Sequence, residues 1–334
     1  MTGIILFILC ISIILYAGTR LSFYGDLLAE VMGWGKMWMG MILMAAVTSL
    51  PELVTGISAI QIVDSPNMAV GNVIGSCAFN ILILSMIDAA FPRRLPVTYE
   101  AQTGHVIAAA FSIVLLCVVV FAIIEPGVFG YTGWIGNYSI IFMLVYFFAM
   151  RAVYNYEQRP GMKKEEVKEE ESGVKFTKGQ VWTRYVMFAA VVVVAAIFLP
   201  VYGEGVAELI GIGEGFFGTV FLALSTSLPE IVISFMAIRQ RAVDMAVGNV
   251  LGSNVFNIFI LALYDIVYTK GPLLESITPK LMVPAIGTIL ITTIGIIGLV
   301  YKSKLKWLMA VDSFLILLVY IFMMKVMFST GLGH

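Results

Sequence analysis

Long apolar runs separated by short polar connections make up almost the whole chain. A helix needs about 20 mostly apolar residues to cross a bilayer. The segments that meet this requirement are residues 3–23, 37–61, 66–90, 104–125, 134–155, 181–202, 215–239, 243–268, 279–301 and 305–328. The pattern predicts an all-α polytopic membrane protein with ten transmembrane helices. The first segment is expected to remain as a helix, because no basic region precedes it as in a signal peptide.

One polar stretch, residues 156–180, interrupts this pattern with runs of Lys and Glu, and we expect it to be a solvated loop. It divides the chain into residues 1–155 and 181–334, with five predicted helices in each half. Because five is odd, the second half must enter the membrane from the opposite side. Assigning the loop to the cytoplasm places most basic connections there, as the positive-inside rule requires. Both termini are then predicted to be extracellular, in a protein of the cell membrane.

Two sequence motifs occur once in each half. The first motif lies in residues 45–52 and again in 223–230, and both copies end in Thr-Ser-Leu-Pro-Glu. The second lies in residues 67–88 and 244–265, which align without gaps with 14 of 22 positions identical. Basic residues flank opposite helix ends in the two copies. The halves are therefore predicted to be inverted-topology repeats, which are characteristic of secondary transporters.

The first motif places a proline and a glutamate near the middle of a predicted helix. Pro51 has no N–H and releases a backbone carbonyl of the preceding turn. The hydroxyls of Thr48 and Ser49 are expected to share a helix face with the Glu52 carboxylate. The second copy repeats this set as Thr226, Ser227, Pro229 and Glu230. An ionisable group at mid-bilayer indicates a functional site, and oxygen ligands of this kind suit Ca²⁺, Mg²⁺ or Na⁺.

The second motif places Asn, Ser and Asn at intervals of four residues, which forms one polar stripe on an apolar helix. These residues are Asn72, Ser76 and Asn80 in the first copy and Asn249, Ser253 and Asn257 in the second. We predict that the serine and the second asparagine of each copy are cation ligands. The first asparagine can either bind a cation or pack against a helix. The two G-x-x-x-G patterns of this motif are expected to permit close helix packing.

An aspartate ends each copy of the second motif. Asp88 and Asp265 lie at predicted helix C-termini, where a carboxylate opposes the helix dipole. Two interpretations are open at this point. The aspartates either draw cations toward the site or cap their helices at the membrane interface.

Composition excludes several classes of function. The chain is 60% hydrophobic and only 12% charged, whereas soluble domains carry about 25% charged residues. A net charge of −1 provides no basis for nucleic-acid binding. The three cysteines form no C-x-x-C pair, and disulfides are not expected. No Ser-Lys, Asp-Asp or H-E-x-x-H set indicates an intramembrane enzyme, and nothing indicates a cofactor or an obligatory protein partner.

The duplicated S-L-P-E and G-N-V-x-G-S-x-x-F-N motifs resemble the repeats of the cation/calcium exchanger superfamily, and are most similar to its sodium/calcium exchanger branch. The resemblance covers both halves of the chain. It implies a central site formed by the second, third, seventh and eighth helices, with Glu52 and Glu230 as the principal Ca²⁺ ligands. The other implied contributors to Ca²⁺ and flanking Na⁺ sites are Thr48, Ser49, Ser76, Thr226, Ser227, Ser253 and the carbonyls of Ala45 and Ala223, with Asn80 and Asn257 at the centre. The first and sixth helices are expected to slide together across this core.

Three features depart from the pattern of that family. Val47 and Ser225 stand before the two Thr-Ser-Leu-Pro-Glu segments, where glycine is common, so the geometry of the helix breaks is open. Cys77 replaces an asparagine that the second copy retains as Asn254. Asn257 occupies a position that is aspartate in several exchangers of this branch, which leaves the ion stoichiometry open.

Charge arithmetic predicts an exchange mechanism. Glu52 and Glu230 together carry a charge of −2 when ionised, which one Ca²⁺, two Na⁺ or two protons neutralise. Because an unneutralised charge at mid-bilayer costs several kcal/mol, the empty site should not cross between the two membrane faces. We therefore expect a Na⁺-driven Ca²⁺ antiporter, with a H⁺-coupled divalent-cation antiporter as the alternative. A passive cation channel is disfavoured, because the polar site is closed within the pseudo-symmetry of one chain.

Overall fold

The computed structural model describes residues 2–32, 45–91, 95–157, 177–211, 213–239, 241–305 and 309–332. The α-helices are, in chain order, α1 Thr2–Met32, α2 Ala45–Thr48, α3 Leu50–Gln61, α4 Pro66–Ala90, α5 Val97–Glu100, α6 His105–Ile124, α7 Tyr138–Glu157, α8 Lys178–Ile210, α9 Glu214–Phe217, α10 Ala223–Thr226, α11 Leu228–Arg239, α12 Val243–Val267, α13 Met282–Tyr301 and α14 Val311–Met327. Two π-helical turns, Gly218–Leu222 and Phe328–Leu332, two 3₁₀ turns, Leu273–Glu275 and Pro279–Leu281, and an antiparallel pair of short strands, β1 Tyr131–Thr132 and β2 Ile135–Gly136, complete the described elements.

The described residues contain eight helices long and apolar enough to cross a membrane, and one bent helix pair forms a ninth such span. These spans agree with nine of the ten predicted segments. The remaining prediction, 37–61, falls partly outside the described residues, which begin again at Ala45 and contain α2 and α3. Most of the predicted 156–180 loop also lies outside the described residues. The chain is thus a largely helical multi-pass membrane protein.

Two helices extend well beyond the predicted membrane spans. Helix α1 continues to Met32, and helix α8 begins at Lys178 and continues to Ile210, whereas the apolar runs that predict them end at residues 23 and 202. Leu, Ala, Glu and Met are good helix formers, so the backbone stays helical where the side chains become polar. Hydropathy predicts the part of a helix that lies in lipid and not the end of the helix itself.

Helices α4 and α12 form the centre of the molecule and pack against each other. Their apolar windows are 94% and 72% buried inside the protein, compared with 28% for the window of α1 and 22% for that of α14. A helix that is apolar on all sides is buried on all sides, and the polar residues of the second motif are consequently enclosed. Helices α3 and α9 to α11 pack on this central pair.

Glycines bring the two halves into backbone contact. A Cβ on Gly71 would lie 2.9 Å from the carbonyl oxygen of Gly215, and one on Gly75 would overlap the carbonyl group of Thr219. Conversely, a Cβ on Gly218 would lie 2.5 Å from the carbonyl oxygen of Met68. The expectation that the first G-x-x-x-G serves close packing is confirmed.

The long helices α1 and α8 pack along each other at the periphery. Helix α1 also crosses the break between α10 and α11, where Gly18 leaves room for the ring of Pro229. Helix α8 contains an internal proline, Pro200, and forms hydrogen bonds with α3 in the turn before it. The Thr55 hydroxyl donates to the carbonyl of Ala196 at 3.4 Å, and the Ser58 hydroxyl donates to that of Ile197. Since a proline cannot donate to the carbonyl four residues earlier, Thr55 satisfies an acceptor that the helix leaves free.

The two aspartates that end the second motif are helix anchors. Asp265 is fully buried and accepts four hydrogen bonds, of 2.6 to 2.9 Å, from the N–H groups of Gly136 and Leu273 and the hydroxyls of Tyr138 and Ser139. Asp88 is equally enclosed and accepts from the N–H of Val97 at 3.0 Å and from the hydroxyl of Ser313 at 2.6 Å. Each ties a central helix to its following connection and to a helix of the other half. The capping interpretation of these residues is therefore the one the geometry supports.

Candidate functional site

The site begins at two matching helix breaks. Ser49 separates α2 from α3 with φ −87° and ψ 8°, and Ser227 separates α10 from α11 with φ −84° and ψ 5°. The proline two residues later in each copy lacks the N–H that would continue the helical hydrogen bonding. In the second copy the two segments meet at a bend of 43°. The two breaks are alike, although Val47 and Ser225 stand where glycine is common in the cation/calcium exchanger superfamily.

Glu52 lies immediately after the first break and is fully buried. Its Oε1 accepts hydrogen bonds from the hydroxyls of Ser76 and Ser227, both at 3.2 Å. Its Oε2 has no hydrogen-bond partner within the described part of the chain. The two serines thus orient the carboxylate and leave one oxygen free for a ligand.

Glu230 lies after the second break and is also fully buried. Among the residues that the structure describes, neither of its carboxylate oxygens has a hydrogen-bond partner. The Thr48 and Ser49 side chains interact with it electrostatically, as does Glu52. The two carboxylates from the two halves are therefore brought into one site.

The structure differs from the prediction in how hydroxyls and carboxylates pair. We expected the hydroxyls of Thr48 and Ser49, four and three residues before Glu52, to share a helix face with its carboxylate. Instead the hydroxyl of Ser227 bonds to Glu52, and the first-copy hydroxyls face Glu230. The reason is the break at Ser49, which interrupts the regular helical spacing on which the expectation was based. The first motif of each half thus lies near the carboxylate of the other half, with a hydrogen bond to Glu52 and, among the described residues, none to Glu230.

Matching hydrogen bonds join the first motif of one half to the second motif of the other. The Thr226 hydroxyl donates to Oδ1 of Asn72 at 3.2 Å, and the Thr48 hydroxyl donates to Oδ1 of Asn249 at 3.5 Å. Thr226 lies 3.5 Å from the hydroxyl of Ser76, and Thr48 lies 3.3 Å from that of Ser253. The first asparagines, which the sequence left undecided, take part in this packing of the two halves.

Asn254 links the two central helices beside the carboxylates. Its Nδ2 donates to the carbonyl of Cys77 at 3.0 Å, and its Oδ1 accepts from Nδ2 of Asn80 at 3.0 Å. This bond turns the free oxygen of Asn80 away from Asn254. Asn257, the repeat partner of Asn80, is fully buried, and neither amide atom of its side chain has a hydrogen-bond partner among the described residues.

Unpaired buried polar atoms are concentrated in this site. Ten such side-chain atoms occur in the described residues, and eight belong to Ser49, Glu52, Asn72, Asn80, Glu230 and Asn257. Six of the eight are oxygens: two on Glu230 and one on each of the other residues except Asn72. An unsatisfied buried polar atom is costly. A cluster of such oxygens therefore suits a hard cation, which prefers oxygen ligands. Calcium takes six to eight oxygen ligands.

The remaining predicted ligands are near the same point but already have partners. The Ala45 carbonyl accepts from the N–H of Ser49 at 3.0 Å and from the Thr48 hydroxyl at 3.3 Å. The Ala223 carbonyl accepts from the N–H of Ser227 at 3.0 Å and from the Thr226 hydroxyl at 3.4 Å. Within the described ranges no group of three His, Cys, Asp or Glu side chains could hold a metal ion.

Comparison with known proteins identifies the family of this chain. The family model for the sodium/calcium exchanger protein matches residues 2–154 and 180–326. The chain belongs to this family, within the cation/calcium exchanger superfamily. Its relatives include the sodium/calcium exchanger MaX1 of Methanosarcina acetivorans, 27% identical over 267 residues that cover 70% of this chain and 74% of that protein. Inner membrane protein YrbG of Escherichia coli is 26% identical over 280 residues, or 80% of each chain.

Two solved structures share the fold. The sodium-calcium exchanger NCX_Mj superposes with a TM-score of 0.61 at 20% sequence identity, covering 97% of this chain and 98% of that chain. The H⁺/Ca²⁺ exchanger CAX superposes with a TM-score of 0.71 at 13% identity, covering 99% and 86%. At these identities the likeness shows the architecture alone.

Sequence reasoning missed Tyr264 as a residue of this site. Its hydroxyl donates to the backbone carbonyl of Glu52 at 2.5 Å. A tyrosine in an apolar helix is ordinarily a core residue, so its type carried no signal. The repeat alignment does distinguish this tyrosine, because the corresponding residue of the first copy is Ile87, which has no hydroxyl.

Proposed function

We propose that this protein is a secondary active antiporter that exchanges Na⁺ for Ca²⁺ across the membrane by alternating access. The observation that supports this most is the joint burial of Glu52 and Glu230, with six site oxygens that have no hydrogen-bond partner among the described residues. The carboxylates come from different halves, and each lies three residues after the serine at a helix break. A divalent cation between them would satisfy these oxygens and neutralise both charges.

The ligand set we propose follows the oxygens of this cluster. It consists of Glu52, Glu230, Thr48, Ser49, Ser76, Asn80, Thr226, Ser227, Ser253, Asn257 and the carbonyls of Ala45 and Ala223. The carboxylates would hold Ca²⁺. The hydroxyls and carbonyls, which are neutral, would complete its shell and contribute to flanking Na⁺ sites. We propose no resident cofactor.

The charge of the site gives the reason for antiport. With both glutamates ionised and no cation, two negative charges lie in a dry interior at a cost of several kcal/mol. Movement of the site between the two faces is then disfavoured until Ca²⁺ or counter-ions bind. Because the site must return loaded, transport of one ion is tied to transport of the other. A uniporter would need the empty site to cross freely.

We propose that the architecture is a pair of inverted five-helix repeats, residues 1–155 and 181–334, joined by a cytoplasmic loop at 156–180. In this arrangement both termini are extracellular. Support comes from the matched contacts of the two halves, such as the anchors at Asp88 and Asp265, and from the positive-inside distribution of Lys and Arg. The two halves would then present the same site alternately to each side.

The choice of Na⁺ as counter-ion rests on the ligand chemistry and on the family. Serine and threonine hydroxyls and backbone carbonyls are neutral oxygen ligands, which suit Na⁺ and have no affinity for a proton at neutral pH. Coupling to H⁺ is the second candidate, because two carboxylates can also take up two protons. The fold shared with the H⁺/Ca²⁺ exchanger CAX is compatible with this alternative.

A flux assay in proteoliposomes tests the proposal and separates the two counter-ions. We expect Ca²⁺ uptake to follow an imposed Na⁺ gradient and to continue when a proton ionophore is present. Uptake driven by a pH gradient alone, without Na⁺, would contradict Na⁺ coupling. E52Q and E230Q should each abolish exchange while the protein stays folded. E275Q is the matched control, because Glu275 accepts the N–H of Gly127 in a connection away from the site.

A further inference from the structure

The hydroxyl of Tyr264 holds the backbone of the candidate cation site. Tyr264 lies near the end of α12 and is one of the largest fully buried side chains. It donates a hydrogen bond of 2.5 Å to the main-chain carbonyl of Glu52, a residue 212 positions away. Glu52 is consequently fixed at two points, its carboxylate by serines and its backbone by a phenol.

Gly56 provides the space for this contact. It lies one helical turn after Glu52 on the same face of α3. A Cβ at this position would overlap the hydroxyl and the ring of Tyr264. A carbonyl oxygen has two lone pairs, so the carbonyl of Glu52 can take the phenol in addition to a helical hydrogen bond. The glycine and the tyrosine thus form one complementary pair.

The other half of the molecule lacks this pair. The repeat alignment places Ile87 opposite Tyr264 and Ser234 opposite Gly56. Isoleucine has no donor, and the Ser234 hydroxyl instead accepts a hydrogen bond of 3.3 Å from Nδ2 of Asn249. The two glutamates, although equivalent in sequence, are therefore held differently.

The point from which Tyr264 reaches Glu52 is itself fixed. The next residue, Asp265, accepts four hydrogen bonds from Gly136, Tyr138, Ser139 and Leu273. These bonds tie the end of α12 to two connections and to α7. The Tyr264 hydroxyl thus connects the first turn of α3 to a helix end that is itself held in place.

We propose that Tyr264 is a positioning residue for Glu52, and that the pair it forms with Gly56 makes Glu52 the preorganised one of the two carboxylates. The inference rests on the proposed function of the site. The first turn of α3 contains Pro51, which has no N–H, so this turn has fewer bonds of its own. Holding the Glu52 carbonyl keeps the turn where the carboxylate reaches Ser76 and Ser227. Preorganisation lowers the cost of binding the ion.

The test is Tyr264→Phe, which removes only the hydroxyl. We expect the KM for Ca²⁺ in Na⁺-driven uptake to rise about threefold to tenfold, the effect of one neutral hydrogen bond. The maximal rate should change by less than about twofold, because the carboxylate itself is retained. A second measurement needs no transport: the rise in Tm caused by Ca²⁺ should be smaller in the variant than in the wild type. Gly56→Ala, which displaces the ring, should raise the KM in the same direction.

The matched control is Tyr138→Phe, which removes another buried phenol hydroxyl, bonded to Asp265 and not to the site. We expect it to lower the Tm and to leave the KM unchanged, because the N–H groups of Gly136 and Leu273 and the hydroxyl of Ser139 still hold Asp265 in place. If Tyr264→Phe keeps the wild-type KM while E52Q abolishes exchange, the positioning role is wrong and the proposed function stands. If E52Q transports Ca²⁺ normally, the proposed function fails first. Loss of folded protein in both Tyr264→Phe and Gly56→Ala would also overturn the inference, since the tyrosine would then be structural.

Discussion

Ser227 donates a hydrogen bond of 3.2 Å to Oε1 of Glu52, although 175 residues separate them and they belong to different halves of the chain. In the other direction, the Thr48 and Ser49 side chains interact electrostatically with Glu230 and, within the described part of the chain, form no hydrogen bond to it. Each half thus completes the carboxylate environment of the other. A single half contains the full motif sequence and still does not contain a complete site.

Removing this donor gives the first prediction. We expect Ser227→Ala to weaken Ca²⁺ binding about tenfold or more, because a hydrogen bond to a charged group contributes about 1.5 to 3 kcal/mol. Isothermal titration of the purified protein with Ca²⁺ measures the change directly. The control is Ser225→Ala, since the Ser225 hydroxyl donates to the carbonyl of Phe221 within the same helix segment. Equal affinities in the two variants would show that Ser227 does not support the ion site.

The sequence predicted the members of this cluster better than their partners. Duplication of the motifs identified both glutamates, because two buried acids at matching positions cannot be explained by packing alone. The pairing of hydroxyls with carboxylates was not predictable, since it depends on the break at Ser49, which helical periodicity does not describe. Tyr264 escaped notice because a buried tyrosine is common, and only its partner Gly56 makes the contact possible.

Backbone contact between the halves gives a second prediction. Gly75→Ala should destabilise the protein by about 1 to 3 kcal/mol or prevent folding, because the new methyl group meets the rigid carbonyl of Thr219 and not a flexible side chain. Thermal unfolding in detergent checks this. Gly295→Ala is the matched control, since nothing lies within 4 Å of a Cβ at that helical glycine. A normal Tm for Gly75→Ala would mean that the halves do not pack as described.

The anchoring role of Asp265 gives a third prediction. Asp265→Asn keeps the shape of the side chain and removes the charge that four donors share. We expect a loss of at least about 2 kcal/mol in the free energy of unfolding, from weaker hydrogen bonds and an unmatched amide group. Because Asp265 also holds the end of α12 from which Tyr264 reaches Glu52, the affinity for Ca²⁺ should fall by no more than in Tyr264→Phe, and its dependence on ionic strength should not change. If the aspartate instead attracted cations, uptake would fall and would become less sensitive to ionic strength, with stability preserved.

Hydropathy and the sequence repeats predicted the membrane spans but not how the helices pack against one another. A membrane span must be apolar along its length, so the spans among the described residues could be predicted from the sequence. Which helices lie at the centre could not be predicted from hydropathy. The close approach of α4 to the other half depends on glycine contacts such as Gly218 against Met68, which become visible only when two distant segments meet.

The hydrogen bonds between α3 and α8 give the last prediction. Thr55 and Ser58 donate to the carbonyls of Ala196 and Ile197 beside Pro200, and these bonds tie a helix of the central cluster to a peripheral one. If α1 and α8 slide across the core during transport, the bonds must break in each cycle. Removing them should lower that barrier.

We therefore expect the double variant Thr55→Val and Ser58→Ala to raise the maximal exchange rate about threefold to tenfold, the effect of one or two neutral hydrogen bonds. The KM for Ca²⁺ should stay unchanged, because neither side chain touches the carboxylates. Initial rates in proteoliposomes over a range of Ca²⁺ concentrations separate the two parameters. Thr293→Val is the control, since the Thr293 hydroxyl bonds only within its own exposed helix face. An altered KM with an unchanged maximal rate would place these hydroxyls in the ion site and remove this argument for helix sliding.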